Sequence, residues 1–223
     1  MDNNQKEIML KRIDKTIKAL QKNRMEAHYA ETAEQAYKLI MSLIPQGSTV
    51  SMGGTVTAQQ LGVTDALKSG KYNFLDRTLA KTPQEIDDIY RKTFFADYFV
   101  TSSNAVTDNG ELYNVDGNAN RVAAMLYGPK NVIVAVGYNK IVKNIDEAVL
   151  RVKSEAAPAN CIRLNLDTYC AQNGECVSLK ASNPYICMGC APDKRICRNY
   201  TIMSSQRIEN RIKVVIVGEQ LGY

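Results

Sequence analysis

From residue 48 onward the chain alternates short β-rich runs with helical segments, and this alternation restricts the folds it can adopt. The clearest strand covers residues 131–136, where the run NVIVAVG is apolar at successive positions and therefore on both faces. Weaker strand patterns occur at residues 49–52, 73–75, 98–101, 111–115 and 213–218. We therefore predict an α/β fold in one domain spanning residues 1–223, with an open, mostly parallel sheet flanked on both faces by helices.

Two amphipathic helices are predicted before this alternation, within residues 1–45. Apolar residues recur every three or four positions in the first helix, and His28 is placed near its end. The second helix opens at Thr32, which has the spacing of a capping box to Gln35. Further helices are predicted at residues 57–68, 83–90, 121–127 and 146–156.

Residues 158–208 break the alternation and contain every cysteine of the chain: Cys161, Cys170, Cys176, Cys187, Cys190 and Cys197. A compact domain rarely keeps so long an irregular stretch unless it is cross-linked or functional. We therefore predict an irregular Cys-rich insertion here. The Cys-x-x-Cys spacing of Cys187 and Cys190 can direct two sulfurs to one metal ion or cluster. Because the chain has a single histidine, zinc sites that need two or more imidazoles are excluded.

Four cysteines are candidate metal ligands, namely Cys170, Cys187, Cys190 and Cys197, with Cys176 as an alternative to Cys170. Structural zinc sites usually use two close cysteine pairs, whereas an iron–sulfur cluster needs only one thiolate for each iron. An iron–sulfur cluster, [4Fe–4S], is therefore favoured over zinc. Lys194, Arg195 and Arg198 add positive charge that stabilises thiolates. Buried thiols without a metal, and a redox switch, remain alternatives.

Three polar loops follow predicted strands, at the position where open α/β sheets bind ligands. The first and third are residues 53–55 and 137–140, and the second surrounds the strand at 111–115. Backbone N–H groups, amides and a guanidinium suit an anionic ligand. The candidate ligand-binding residues are Gly53, Gly54, Thr55, Asn104, Asn118, Asn120, Arg121 and Asn139. The candidate catalytic residues are Glu111, Asp116 and Lys140.

The charge pattern favours small anions over larger partners. Lys and Arg total 28 against 23 Asp and Glu, and the two signs are interspersed, so we expect no nucleic-acid binding. The amino-terminal residues are polar, and the longest aliphatic run is far too short for a bilayer. We expect a cytoplasmic protein without membrane contact, in which thiols stay reduced.

Several segments resemble the LUD-domain (lactate utilization) family. They are SMGGTVTAQQLGV, TSSNAVTDNGELYNVDGNANRVAAMLYGPKNVIVAVGYNKIV, APANCIRLN, CMGCAPDKRIC and RIKVVIVGEQLGY, which together cover nearly the whole chain. The resemblance implies the fold shared by ribose-5-phosphate isomerase, glucosamine-6-phosphate deaminase and CoA transferases. It also implies an association with L-lactate oxidation and, in some members, with iron–sulfur partner subunits. The Cys-bearing branch of the family has Thr-Pro-Cys, Cys-x-x-Cys and Arg-Ile-Cys motifs, and here Tyr169 replaces the proline.

Three functions are consistent with these features. The first is a lactate-utilization protein that binds an anionic metabolite and an iron–sulfur cluster, alongside oxidoreductase partner subunits. The second is a sugar-phosphate isomerase or CoA-transferase-like enzyme. In that enzyme Glu111 or Asp116 would act as the base, Lys140 would stabilise an enolate-like anion, and the cysteines would only brace the fold. The third is a non-catalytic regulatory subunit.

Overall fold

The computed structural model describes residues 2–190, 193 and 195–223, so Lys194 of the basic Cys segment and Ala191-Pro192 of its motif lie outside the described residues. The strands are β1 (Glu26–Ala30), β2 (Thr49–Met52), β3 (Asn73–Phe74), β4 (Tyr98–Thr101), β5 (Ala105–Thr107), β6 (Leu112–Asp116), β7 (Asn131–Gly137), β8 (Ile141–Val142), β9 (Asn199–Met203) and β10 (Ile212–Val217). The helices are α1 (Asn3–Lys22), α2 (Ala33–Ser42), α3 (Val56–Gln60), α4 (Val63–Leu67), α5 (Pro83–Lys92), α6 (Asn120–Leu126), α7 (Ile145–Arg151), α8 (Ala157–Arg163) and α9 (Tyr169–Asn173).

The main sheet has six strands, all parallel, in the order β1-β10-β7-β4-β2-β3. Strand β7 lies in its interior, and its side chains alternate between two cores. Val132 and Val134 join the core beneath α1 and α6, whereas Ile133 and Ala135 join the core beneath α2, α3 and α4. Burial on both faces explains the continuous apolar run in this strand, and the predicted α/β class is confirmed.

The amino-terminal stretch is not purely helical, because β1 lies between α1 and α2. It forms one edge of the main sheet, and the prediction that His28 lies near the end of the first helix is wrong. His28 lies in β1, where its Nε2 is 2.7 Å from Oε1 of Glu26. The strand is short, and its fully buried positions are the alanines Ala27 and Ala30, so it carries no strong apolar signal.

A second, mixed sheet of four strands was not predicted. Its order is β8-β5-β6-β9, and it packs one face on the α1 core and the other on α7 and α8. Strands β5 and β8 have three and two residues, which is too short for a periodic pattern. Strand β9, with α8 and α9, occupies parts of the segment predicted to be irregular, so those parts of residues 158–208 have more regular secondary structure than expected.

Two predicted helices also differ in detail. The helix expected at 57–68 is divided into α3 and α4 at Gly62, whose φ is +74°. The helix expected at 146–156 continues through a π-helical turn, Val152–Ala156, directly into α8. Pro158 in the first turn of α8 has no N–H to donate, which is compatible with the wider turn before it.

No helix in residues 2–190, 193 and 195–223 combines the length and the apolar character needed to cross a membrane.

Arg211 fastens the end of α6 to β10. Its guanidinium is 8% exposed and donates to the carbonyl oxygens of Ala124, Met125 and Pro129 at 3.1, 2.8 and 3.0 Å. These carbonyls belong to the last turn of α6 and the loop after it, and that turn lacks helical partners for its oxygens. The contact therefore fixes the helix that carries one of the polar loops.

Arg211→Leu is expected to lower the free energy of unfolding by about 3 kcal/mol, because it leaves buried carbonyls without donors. Urea denaturation followed by circular dichroism measures the change. The exposed Arg207→Leu is the matched control and should leave stability within about 0.5 kcal/mol of the parent. Equal losses in both variants would contradict the anchoring role of Arg211.

Candidate functional site

A polar pocket of about 290 Å³ opens at the carboxyl ends of β2, β4 and β7. The loops after these strands, the loop between β6 and α6, and the α7–α8 helix form its walls. Eight of the predicted ligand-binding and catalytic residues line it: Gly54, Thr55, Asn104, Asp116, Asn118, Asn120, Arg121 and Lys140. Three predicted residues, Gly53, Glu111 and Asn139, are not among its lining residues.

Lys140 lies in the turn directly after β7 and is 2% exposed. Its Nζ donates to the hydroxyls of Thr57 and Ser102, both at 3.0 Å. Burial, followed by the nearby positive charges of Arg151 and Arg121, lowers the pKa of Lys140 from 10.5 to about 7. A substantial fraction of the Lys140 side chains is therefore neutral at physiological pH.

Arg151 on α7 supports the base of the pocket from behind. Its guanidinium donates to the carbonyl oxygens of Asn104 and Asn139, at 2.6 and 3.2 Å. Asn139 turns away from the pocket, where its side chain accepts from the Leu221 N–H at 3.1 Å and donates to the Gly222 carbonyl at 3.3 Å. Asn139 thus holds residues 221–222 next to the Lys140 loop.

Arg121 organises the central loops through its side chain. One guanidinium nitrogen donates to Asn114 Oδ1 at 2.6 Å and to the Ser102 carbonyl at 3.1 Å. The other donates to Asn104 Oδ1 at 3.0 Å and to the Val115 carbonyl at 2.9 Å. Its hydrogen bonds are therefore largely directed to the protein, and it positions the pocket wall.

Asp116 and Glu111, predicted as bases, make different contacts. Asp116 Oδ2 accepts from the N–H groups of Arg121 and Val122, at 3.0 and 3.1 Å, at the start of α6. Glu111 lies at the β5–β6 turn, where its carboxylate accepts from the Thr107 hydroxyl. That turn docks on α1, and a Cβ added to Gly110 would lie 2.6 Å from the Ala19 backbone.

The Gly53-Gly54-Thr55 loop combines structural contacts with access to the pocket. The Gly53 N–H donates to the Val100 carbonyl at 3.0 Å and so extends the main sheet. The Thr55 hydroxyl accepts from the Ala58 N–H at 3.3 Å and caps α3. At Gly54 a Cβ would lie 2.8 Å from the guanidinium of Arg77, so this glycine permits the close approach of a cation.

Arg77, Tyr90, Asn160, Arg163 and Tyr223 line the pocket but were not predicted. Arg77 stacks its guanidinium 5.9 Å from the Tyr90 ring and has no ion pair within the described part of the chain. It follows the weak strand at 73–75, so the rule that ligands bind after strands would have identified it. Arg163 lies on α8, in the segment predicted to be irregular, and no sequence signal marked it.

A second, apolar cavity of about 20 Å³ lies within the Cys segment. Its lining includes Cys170, Cys176, Cys190 and Cys197, whereas Cys187 is exposed and is not among the lining residues. Cys161 is buried, with its Sγ 3.6 Å from that of Cys170, and burial raises its pKa to about 12. Among the described residues, no three His, Cys, Asp or Glu side chains are already arranged to hold a metal ion.

Polar and charged side chains surround these thiols. The Tyr113 hydroxyl is buried and has no hydrogen-bond partner among the described residues, although Tyr113 lines the cavity. Arg195 Nε lies 3.2 Å from the Sγ of Cys197, and Lys153, 6% exposed, donates to the Ser178 hydroxyl at 2.9 Å. The site therefore combines soft sulfur donors, positive charge and an unsatisfied donor.

The two cavities adjoin. Val152, Ala157 and Cys197 are lining residues of both the polar pocket and the thiol-lined cavity. The first two come from the π-helical turn and the first residue of α8. A ligand in one cavity would therefore lie close to a group held in the other.

The lowered pKa of Lys140 predicts how the free energy of unfolding changes with pH. Below pH 7 the amine is charged in both the folded and the unfolded state, and the folded state bears the cost of the buried charge. Between about pH 7 and the unfolded value the folded protein releases the proton while the unfolded chain keeps it, so stability rises with pH. Relative to Lys140→Met, the wild type should gain about 2–3 kcal/mol between about pH 6 and pH 9.

Chemical denaturation at each pH measures this gain. The exposed Lys143→Met is the matched control and should follow the wild-type pH profile. Parallel profiles for the wild type and Lys140→Met would show that the Lys140 pKa is not lowered.

Comparison with protein-family models matches the LUD domain over residues 13–217. Among solved structures, the chain is similar to a DUF162 family protein from Deinococcus radiodurans, with a TM-score of 0.51, 14% identity and coverage of 95% of this chain and 98% of that one. Weaker likenesses are to eIF2B delta from Chaetomium thermophilum (TM-score 0.35, 18% identity, 52% and 50% coverage) and to ribose 5-phosphate isomerase from Plasmodium falciparum (0.31, 17%, 49% and 51%). No curated protein matches the chain. Because the family match spans most of its length, the chain belongs to the LUD domain (lactate utilization) family.

Proposed function

We propose that this LUD protein binds a small carboxylate in the polar pocket and takes part in the oxidation of lactate or a related organic acid. The observation that carries the proposal is the charge of the pocket. Arg77, Arg121, Lys140 and Arg163 line it, against one carboxylate, Asp116, among its described lining residues. The Asp116 carboxylate already accepts two backbone hydrogen bonds. The cavity volume is at the small end for a ligand site, which suits a metabolite of a few carbons.

Arg77 is the side chain best suited to hold the carboxylate. Its guanidinium is half-buried at the pocket wall, and planar guanidinium groups bind carboxylates through two parallel hydrogen bonds. The amides of Asn104, Asn118 and Asn120 line the same space and supply both donors and acceptors for a hydroxyl or carbonyl oxygen.

Arg77→Met is expected to weaken the binding of lactate and pyruvate by about tenfold or more, because a charge-assisted hydrogen bond is lost. Isothermal titration calorimetry measures both dissociation constants. Arg91→Met is the matched control, since Arg91 is exposed and ion-paired with Asp87 on α5. Wild-type protein that binds neither acid, or equal affinities in both variants, would contradict the proposal.

We further propose that the thiol-lined cavity holds an iron–sulfur cluster, for which the cavity of about 20 Å³ has to widen. The candidate ligands are all cysteines, the usual ligands of such clusters, and the Tyr113 hydroxyl, which has no partner among the described residues, would supply a hydrogen-bond donor for a sulfide. Cys170, Cys190 and Cys197 would provide three ligands, and Cys187 or Cys176 the fourth. When bound, the cluster would supply one-electron transfer next to the pocket.

The same reasoning supports a partner subunit. Oxidation of a 2-hydroxy acid releases two electrons and two protons, whereas an iron–sulfur cluster of this kind passes electrons singly. An oxidoreductase partner that accepts electron pairs would complete the reaction. Reduced, cluster-ligating thiols also suit the cytoplasm, which we propose as the compartment of the protein.

Anaerobic purification with iron, acid-labile sulfide and zinc analysis tests the cluster. We expect stoichiometric iron and sulfide in the wild type, loss of both in Cys190→Ser, and retention in the control Cys161→Ser. Comparison of Cys176→Ser with Cys187→Ser identifies the fourth ligand. Colourless protein with stoichiometric zinc would overturn the iron–sulfur assignment, and protein without bound metal would overturn a metal site altogether.

A further inference from the structure

The Lys140 amine faces the pocket without a carboxylate partner in the described structure. Two of its hydrogens are directed to the hydroxyls of Thr57 and Ser102. The charged groups that act on it are the guanidinium groups of Arg121 and Arg151, which carry the same sign as an ammonium. A lysine that only held a structural anion or filled an ion pair would have an acidic neighbour, and among the described residues the charged groups that act on Lys140 are both cationic.

This environment favours the neutral amine. The pKa of about 7 leaves an accessible population with a free lone pair at physiological pH, and both hydroxyl contacts can be made by the hydrogens of the neutral form. A desolvated lysine beside other cations is a known means of activating an amine as a nucleophile toward carbonyl compounds. Because Lys140 lies in the turn after a strand that is buried from Val132 to Gly137, the core also holds that turn in place.

We propose that Lys140 condenses with the ketone of a 2-oxo acid bound in the pocket to form a Schiff base. The inference rests on the proposed binding of a small carboxylate and names its substrate class. The amine nitrogen forms a bond to C2 as the carbonyl π bond breaks and its oxygen gains a proton, giving a carbinolamine. The C–O bond then breaks, the oxygen leaves as water with the second proton from nitrogen, and a C=N bond remains. No oxidant or reductant is required.

The substrate class follows from the functional groups that line the pocket. A 2-oxo acid carries a carboxylate, which suits Arg77, next to an electrophilic carbon, which suits a neutral amine. A 2-hydroxy acid such as lactate has the carboxylate but no electrophilic carbon. The pocket should therefore bind both acids, and only the 2-oxo acid should become covalently attached.

Reductive trapping tests the Schiff base. The protein is incubated with pyruvate and sodium cyanoborohydride at neutral pH and analysed by intact mass and peptide mapping. We expect one stable adduct, with a mass increase equal to pyruvate less one oxygen atom, on the peptide that contains Lys140. Lactate should give no adduct, Lys140→Arg should lose it, and the exposed control Lys143→Met should keep it.

The outcomes separate this inference from the proposed function. Pyruvate that binds in calorimetry without forming an adduct, or an adduct spread over surface lysines, would overturn the Schiff base and leave carboxylate binding intact. Failure of both acids to bind would overturn both. Since the adduct is mapped on wild-type protein, the result does not depend on the folding of a Lys140 variant, and circular dichroism verifies that Lys140→Arg is folded.

Discussion

The guanidinium of Arg121 connects the parts of the molecule that form the pocket. It joins the loop after β4 to the second sheet through four oxygen atoms, and its own backbone N–H bonds to the Asp116 carboxylate. Each of these oxygens lies in a half-buried or buried setting, where an unsatisfied acceptor is costly. The loops can therefore face one another around an open space without collapsing into it. The polar pocket therefore depends on the hydrogen bonds of Arg121 as well as on the main sheet beneath it.

The cationic residues around the pocket have two different roles. Arg121 lines the pocket and Arg151 lies behind it, and both direct their hydrogen bonds largely to protein oxygens. Arg77 and Lys140 face the space. The fixed positive charges make a further charge on Lys140 unfavourable, so the group nearest the core is the one that gives up its proton. The arginines around the pocket thus attract anions and also favour the neutral form of the Lys140 amine.

The positions of the pocket loops could be predicted from the sequence, whereas the orientations of several side chains within them could not. Lys140 and Asn104 follow parallel strands whose carboxyl ends lie at the same edge of the sheet, so it was predictable that the two residues would line one pocket. Arg77 also follows a strand, β3, which has only two residues. The Asn139 side chain is directed toward residues 221–222 by tertiary contacts, which the local sequence does not predict. The second sheet escaped prediction because its short strands gain their stability from burial against α1 and α7. Likewise, cysteine spacing located the thiol cluster but not the exposure of Cys187.

The π-helical turn at Val152–Ala156 sets the orientation of α8 relative to α7. A π turn holds one residue more than the α-helical turn it replaces, and each residue rotates an α-helix by about 100°. Deleting a single residue there would let α7 run straight into α8 and would swing Asn160 and Arg163 off the pocket and Ala157 out of the shared wall. The two cavities thus lie next to each other because of the length of this helix. Deletion of Ser154 or Glu155, which line neither cavity, could separate them and leave every lining side chain in the sequence.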